Sequence, residues 1–61
     1  MNASELRRIR LRVLGLSQAD LARRLDIHRN TLVRLETGRR PISKLMEFAV
    51  RYLVSEQGKG R

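Results

Sequence analysis

Cysteine is absent from the 61 residues of this chain, and its only histidine is His28. Without cysteine the chain has neither a disulfide framework nor a thiolate metal site. The six acidic residues are scattered among basic ones, and no nucleophile signature, Cys/His cluster or Gly-rich phosphate loop is present. We therefore expect no enzymatic activity, no metal, no cofactor and no small-molecule ligand.

Long apolar runs are also missing. None approaches the roughly 20 residues that a helix needs to span a bilayer. The beginning of the sequence lacks the apolar core of a signal peptide. We therefore expect no membrane partner and a cytoplasmic location, at the bacterial nucleoid if the chain binds DNA.

Basic residues, by contrast, are abundant. Fourteen Lys and Arg residues stand against six Asp and Glu, a net charge of +8, and twelve of the fourteen are arginine. The planar donor fork of arginine suits phosphates and guanine edges. A nucleic-acid partner is the main prediction from this excess, although charge also keeps small domains soluble. A chain of this size buries only about 60% of its unfolded surface, so help from a partner subunit is also expected.

The central stretch predicts two short helices joined by a tight turn, at about residues 18–25 and 28–37. Ser17 is a good N-cap, and Asp20 completes a capping-box pattern. Leu21 and Leu25 share one face of the first helix, and the pattern breaks at residues 26–27. Gly38 then closes the second helix. A connection this short is typical of a helix-turn-helix.

Two flanking helices complete the prediction. The first covers about residues 3–14, with Asn2 as its cap, a buried face of Leu6, Ile9, Val13 and Leu14, and arginines over the remainder. The last covers about residues 42–55. The fold class is therefore all-α, a compact four-helix domain over residues 1–56 with a disordered tail at 57–61.

Several central residues carry a family resemblance. They are the run Gly15-Leu16-Ser17-Gln18-Ala19-Asp20-Leu21-Ala22, followed by Leu32, Leu35-Glu36 and Gly38. In order and spacing they resemble the DNA-binding domain of lambda-repressor-like, XRE-type bacterial and phage regulators. The resemblance covers roughly Leu6 to Leu53 and implies that fold without its usual fifth helix.

Two positions depart from the family pattern. Asp26 stands where the family usually has glycine, and Asp tolerates the left-handed backbone at modest cost. Leu11 stands where the family often has an arginine that pairs with the glutamate matching Glu36. The partner of Glu36 is therefore left open, with Arg12 as one candidate.

The predicted DNA-contacting residues divide into base readers and phosphate binders. At 100° per residue, Arg29, Asn30, Val33 and Arg34 lie opposite the apolar face of the third helix. Arginine pairs with guanine, asparagine with adenine, and valine with the thymine methyl group. The resemblance assigns base reading to the same four positions. It also matches Gln18 to a residue that clamps a phosphate, where the helix N-terminus itself favours an anion. Further predicted phosphate contacts are His28, Thr31, Arg39 and Arg40.

The last predicted helix is too apolar for one buried face, because nine of the thirteen residues from Ile42 to Val54 are apolar. Ile42, Leu45, Met46, Ala49 and Leu53 form its central stripe. The flanking residues Phe48, Val50, Tyr52 and Val54 are predicted to form a homodimer interface.

The leading hypothesis from the sequence is a transcriptional repressor of phage or mobile-element origin. It would bind a pseudo-palindromic operator in double-stranded DNA as a homodimer. One alternative is the antitoxin of a toxin–antitoxin pair, although the short tail leaves little room for a toxin-binding segment. Others are a protein-interaction module that uses the last helix, and a membrane-active peptide, which would need one long amphipathic helix.

Overall fold

The computed structural model describes residues 1–59, and the side chains only as far as Gln57. Within this range all regular secondary structure is helical. The elements are α1 (Ala3–Arg8), a π-helical segment (Ile9–Leu14) that continues it, α2 (Gln18–Leu25), α3 (Arg29–Glu36) and α4 (Lys44–Lys59). The predicted all-α class is confirmed.

The first helix changes its hydrogen-bond spacing partway along. It begins with a capping box, in which the backbone N–H of Glu5 donates to the Asn2 side chain and that of Asn2 to the Glu5 side chain. From Ile9 the helix is wider, and the backbone N–H of Gly15 donates to the carbonyl of Arg10, five residues earlier. Gly15 ends the helix with a φ of 63°, in the left-handed region.

This wider segment changes which side chains reach the core. In a continuous α-helix, Val13 would lie four residues after Ile9 on the same face. The π turn takes up about one more residue, so Leu14 occupies that place and is buried, while Val13 is 45% exposed. The prediction that Val13 is buried is therefore wrong. Arg10, predicted as outer cover, is buried instead.

The helix-turn-helix has its predicted cap at Ser17, but only half of the predicted capping box forms, because the Asp20 carboxylate pairs with Arg23. The Ser17 hydroxyl accepts a hydrogen bond from the backbone N–H of Asp20, which starts α2. Asp26 ends α2 with a φ of 58°, so it adopts the left-handed conformation expected of a residue in the family's glycine position. His28 caps α3, two residues later. Short local signals thus set the turn and the crossing of the two helices.

The core lies where all four helices meet. Its fully enclosed side chains are Leu6, Leu21, Leu32 and Val50. Leu14, Ala22 and Leu35 complete the buried apolar cluster. Burial of one such side chain contributes about 1.5–3 kcal/mol.

The last helix starts later and ends later than predicted. The Ser43 hydroxyl accepts a hydrogen bond from the backbone N–H of Met46, so Ser43 acts as the cap and α4 begins at Lys44. The helix continues to Lys59, although a disordered tail was predicted from residue 57. Gln57 donates to the backbone carbonyl of Leu14 at 3.4 Å, which holds this end against the π segment. Residues 60 and 61 of that predicted tail lie outside the described part.

Glu47 connects α4 to the start of the chain. It accepts hydrogen bonds from the Arg51 guanidinium and, at 3.1 Å, from the N-terminal ammonium of Met1. Arg51, followed by the ammonium, holds the pKa of Glu47 below its usual range.

No helix within residues 1–59 combines the length and the apolar character that crossing a membrane requires.

Candidate nucleic-acid interface

The third helix has one face seated in the core and one face in solvent. Leu32 and Leu35 are buried with 0% and 4% exposure. Glu36 is 3% exposed on the same side. These three residues agree with the predicted inner face, and they fix the rotation of α3 about its axis.

The predicted base-reading residues lie on the outer side of α3. Arg29, Asn30 and Arg34 are exposed, and Val33 is half-buried between them. We call these four residues the base-reading arc. Among the side chains that the structure describes, as far as Gln57, none pairs with the guanidinium of Arg29 or Arg34. A continuous row of donors and one apolar side chain is thus available to an external partner.

The predicted phosphate contacts do not all lie beside this arc. Arg39 lines a groove with all the arc residues except Arg29. Thr31 and Arg40 line a different groove, which they share with Ile27 and Met46 on the α4 side. The structure therefore groups Arg39 with the base-reading arc and separates Thr31 and Arg40 from it.

His28 is already engaged as the cap of α3. Its Nδ1 accepts a hydrogen bond from the backbone N–H of Asn30 at 3.4 Å. The residue is exposed, and a neutral ring whose Nδ1 accepts carries its proton on Nε2, which can donate to an anion. The histidine thus starts the recognition helix whether or not it contacts a phosphate.

A buried ion pair holds α3 against the first helix. Arg10 donates from Nε to Glu36 Oε2 at 2.6 Å and from Nη2 to Glu36 Oε1 at 3.1 Å. A third donor, Nη1, reaches the backbone carbonyl of Leu16 at 3.0 Å. Paired, planar contacts of this kind are the strongest form of ion pair available to arginine. Arg12, the candidate partner from the sequence, is exposed and makes no such pair.

The π segment explains why the sequence pointed to the wrong arginine. The family pattern places the arginine four residues before Gly15, at Leu11. Arg10 stands five residues before Gly15, and the wider turn takes up the additional residue. The arginine that pairs with Glu36 therefore lies one position before the one that the family pattern indicates, in a segment where α-helical spacing does not hold.

Gln18 belongs to the same network. Its side-chain amide donates to Glu36 Oε1 at 3.2 Å. An amide nitrogen carries two hydrogens, so one remains for an external acceptor. The ion pair therefore orients the residue that the resemblance matches to a phosphate clamp.

An open cleft lies between the start of α2 and the end of α3, and we call it the α2 cleft. The residues that line it are Arg7, Arg10, Ser17, Gln18, Ala19, Arg29, Glu36 and Thr37. It joins the base-reading arc, through Arg29, to the Gln18 network. Arg7 was not among the predicted contacts. It lies one helical turn before Arg10 and therefore faces the same side, and the sequence did not predict that Arg10 faces inward.

The predicted dimer residues on α4 are split between core and surface. Val50 is fully buried within the chain, so its assignment to a dimer interface is wrong. Val54 is partly buried against the core cluster. Phe48 and Tyr52 remain 60% and 61% exposed, and Leu45, predicted for the central stripe, is 81% exposed. Leu45, Phe48 and Tyr52 lie on one side of α4 at i, i+3 and i+7, and we call them the α4 stripe.

The chain matches a protein-family model. A model described as a helix-turn-helix domain matches residues 3–55, a span from α1 into α4 that includes the α2 cleft and the base-reading arc. No curated protein and no solved structure matches the chain.

Proposed function

Because the chain belongs to the family of helix-turn-helix domains, we propose that it is a sequence-specific transcriptional regulator that inserts α3 into the major groove of double-stranded DNA. In this motif the second helix lies in the groove, with residues of its N-terminal part at base edges. Here that helix is α3, and two residues of the base-reading arc, Arg29 and Asn30, lie exposed in its first turn.

One observation supports this proposal above the others. The guanidinium groups of Arg29 and Arg34 are exposed, and no partner for them exists among the described residues. Arg10, which serves the fold, is by contrast buried and paired. These two arginines are presented by a helix whose inner face is firmly packed, which is the arrangement that direct readout needs.

The chemistry of the arc suggests how bases are read. Arg29 and Arg34 match guanine, which offers two acceptors in the major groove. Asn30 matches adenine, and Val33 matches the methyl group of thymine. Gln18 and Arg39 would hold the flanking phosphates, and His28 would contribute from the start of α3.

We propose further that the protein acts as a homodimer through the α4 stripe. Two copies related by a two-fold axis place the same three apolar side chains against each other, which removes both stripes from water. Dimerisation also brings two recognition helices onto one duplex, about 34 Å apart. Such a dimer would bind a pseudo-palindromic operator, and it would repress transcription by occupying that operator.

The α4 stripe also favours a second candidate. The stripe also suits a different protein as partner. The helix-turn-helix would then be a scaffold only, or, in an antitoxin, it would bind the operator while the stripe binds the toxin. The base-reading arc argues against a pure scaffold, because a scaffold has no need of three polar donors on one exposed arc.

Selection of bound sequences from a random DNA pool tests the proposal. We expect an inverted repeat whose half-sites are about ten base pairs apart, centre to centre. A single unrepeated site would leave the DNA-binding function standing and contradict the symmetric dimer. No enrichment, together with equally weak binding to all duplexes, would contradict sequence-specific regulation.

A further inference from the structure

The α2 cleft contains an arginine that the proposed base and phosphate contacts do not use. Arg7 comes from the last turn of α1, and it lines the same cleft as Gln18 and Arg29. Arg7 and Arg29 belong to helices distant in sequence, and only the tertiary structure brings them together. Both are exposed.

The charges of this cleft do not cancel. Three guanidinium groups and one carboxylate line it. Arg10 and Glu36 neutralise each other through two hydrogen bonds. Arg7 and Arg29 remain, and neither has an ion-pair partner among the side chains of residues 1–57, so these residues give the cleft two uncompensated positive charges.

The arrangement is suited to an anion that carries acceptor oxygens and lies beside a duplex. Gln18 lines the same cleft as the two arginines, and its amide nitrogen has a second hydrogen beyond the one donated to Glu36. Arginine binds phosphate oxygens through its planar donor fork. A DNA strand that passes from the base-reading arc across this cleft would bring one phosphodiester group within reach of all three side chains.

We propose that Arg7 binds a phosphate of the DNA backbone in the α2 cleft. This inference rests on the proposed function, because it takes α3 to lie in the major groove. Arg7 adds a contact from the first helix, so one phosphate is held by α1 and α2 while α3 reads the bases. The contact fixes the register of the protein on the duplex without reading sequence.

The neighbouring arginines provide matched controls. Arg8 and Arg12 also belong to the first helix and are exposed, but they line a different groove, with Leu11 and Val13. Arg7 borders both grooves. Substitution of Arg8 or Arg12 removes the same charge as substitution of Arg7 and leaves the α2 cleft unchanged.

The first test is the salt dependence of binding to a selected operator. Each phosphate contact contributes about 0.9 to the slope of log affinity against log salt in B-DNA. We expect Arg7→Ala to lower that slope by about 0.9, so that a fourfold rise in salt costs the variant about 3.5-fold less affinity than the parent. Arg8→Ala and Arg12→Ala should change the slope much less. Equal slopes for all three variants would overturn the inference.

The second test neutralises single phosphates of the operator with methylphosphonate. At one position in each half-site, neutralisation should abolish the affinity difference between the parent and Arg7→Ala. On the unmodified operator, Arg7→Lys should lose only part of the affinity that Arg7→Ala loses. If the difference persists at every position, Arg7 contributes only a general charge, and the inference fails.

The outcomes separate this inference from the proposed function. If the parent shows no preference for any duplex, the proposed function itself fails. If the parent selects an operator but Arg7→Ala behaves as Arg8→Ala does, only the role of Arg7 is lost. The thermal unfolding temperature of Arg7→Ala should match that of the parent, since Arg7 has no partner in the described fold.

Discussion

Arg10 and Glu36 face each other across the junction of the first helix with α3, joined by two hydrogen bonds of 2.6 and 3.1 Å. Both side chains are almost fully buried, with exposures of 9% and 3%. Arg10 Nη1 donates to the backbone carbonyl of Leu16, and Glu36 Oε1 also accepts a hydrogen bond from the side-chain amide of Gln18. Every buried polar side-chain atom among the described residues has a partner. The recognition helix is therefore held by polar contacts as well as by leucines.

Removal of either member of this pair should destabilise the fold severely. We expect Arg10→Ala and Glu36→Ala each to lower the unfolding free energy by about 3–5 kcal/mol, because each leaves a buried charge without its partner. The double substitution Arg10→Met with Glu36→Leu should cost less than either single change. Urea unfolding measures this, with Arg23→Ala as control. Arg23 forms an exposed pair with Asp20, so its loss should change stability by only about 0–1 kcal/mol.

The π segment should tolerate a deletion that other helices do not. Removal of Leu11 restores four-residue spacing between Arg10 and Gly15, so the wide turn can close as an α-helix. We expect this variant to fold with an unfolding temperature at or above that of the parent. Deletion of Arg24 from α2 should instead unfold the protein, because it turns all that follows, including the Asp26 cap and the entry to α3, by about 100° about the helix axis. Loss of cooperative unfolding after the Leu11 deletion would contradict this reading of the segment.

Base readers and phosphate binders should differ in how their loss affects specificity. Arg29→Ala and Arg34→Ala should each cost about 1–3 kcal/mol on the selected operator and relax the preference at one base pair per half-site. Arg39→Ala should weaken all duplexes about equally and flatten the salt dependence. Competition binding on specific and random DNA checks this. Equal losses on both duplexes for Arg34→Ala would remove Arg34 from the base-reading arc.

Oligomeric state should depend on the α4 stripe and not on Val50. We expect Phe48→Glu and Tyr52→Glu to shift the protein toward monomer in sedimentation at micromolar concentration, with helix content retained. Operator affinity should fall with them, because each half-site is then bound separately. Val50→Ala should lower the unfolding free energy by about 1–3 kcal/mol through the cavity it leaves in the core, and the folded variant should keep the oligomeric state of the parent. A monomeric parent protein with full operator affinity would exclude this interface.

Acid should remove a contribution of Glu47 to stability. Its pKa is lowered in the folded chain, chiefly by the Arg51 hydrogen bond and then by the N-terminal ammonium. Such a group contributes stability at pH values above its unfolded pKa, and the contribution is lost as the pH falls through the lowered folded pKa. We expect Glu47→Gln to be less stable than the parent at neutral pH and the difference to shrink in acid. Unfolding curves from neutral to strongly acidic pH measure this difference, and a constant gap would contradict it.

Local signals in the sequence determined most of the architecture. Ser17, Asp26 and Gly15 act through backbone contacts within a few residues, so their caps and turns are readable without the fold. The leucines of α2 and α3 repeat at helical spacing, which predicted the helix-turn-helix and the exposed base-reading arc. The resemblance drawn from these residues is confirmed by the family match over residues 3–55.

Three features were decided only by tertiary structure. The partner of Glu36 is Arg10 because a π turn inserts one residue into the first helix, and side-chain periodicity does not reveal a change of hydrogen-bond spacing. Val50 lies in the core and Phe48 at the surface because neighbouring helices choose which side of the nearly all-apolar α4 they cover. Arg7 reaches the α2 cleft because α1 packs against α3, and no pattern within one helix specifies which residues of another will lie beside it.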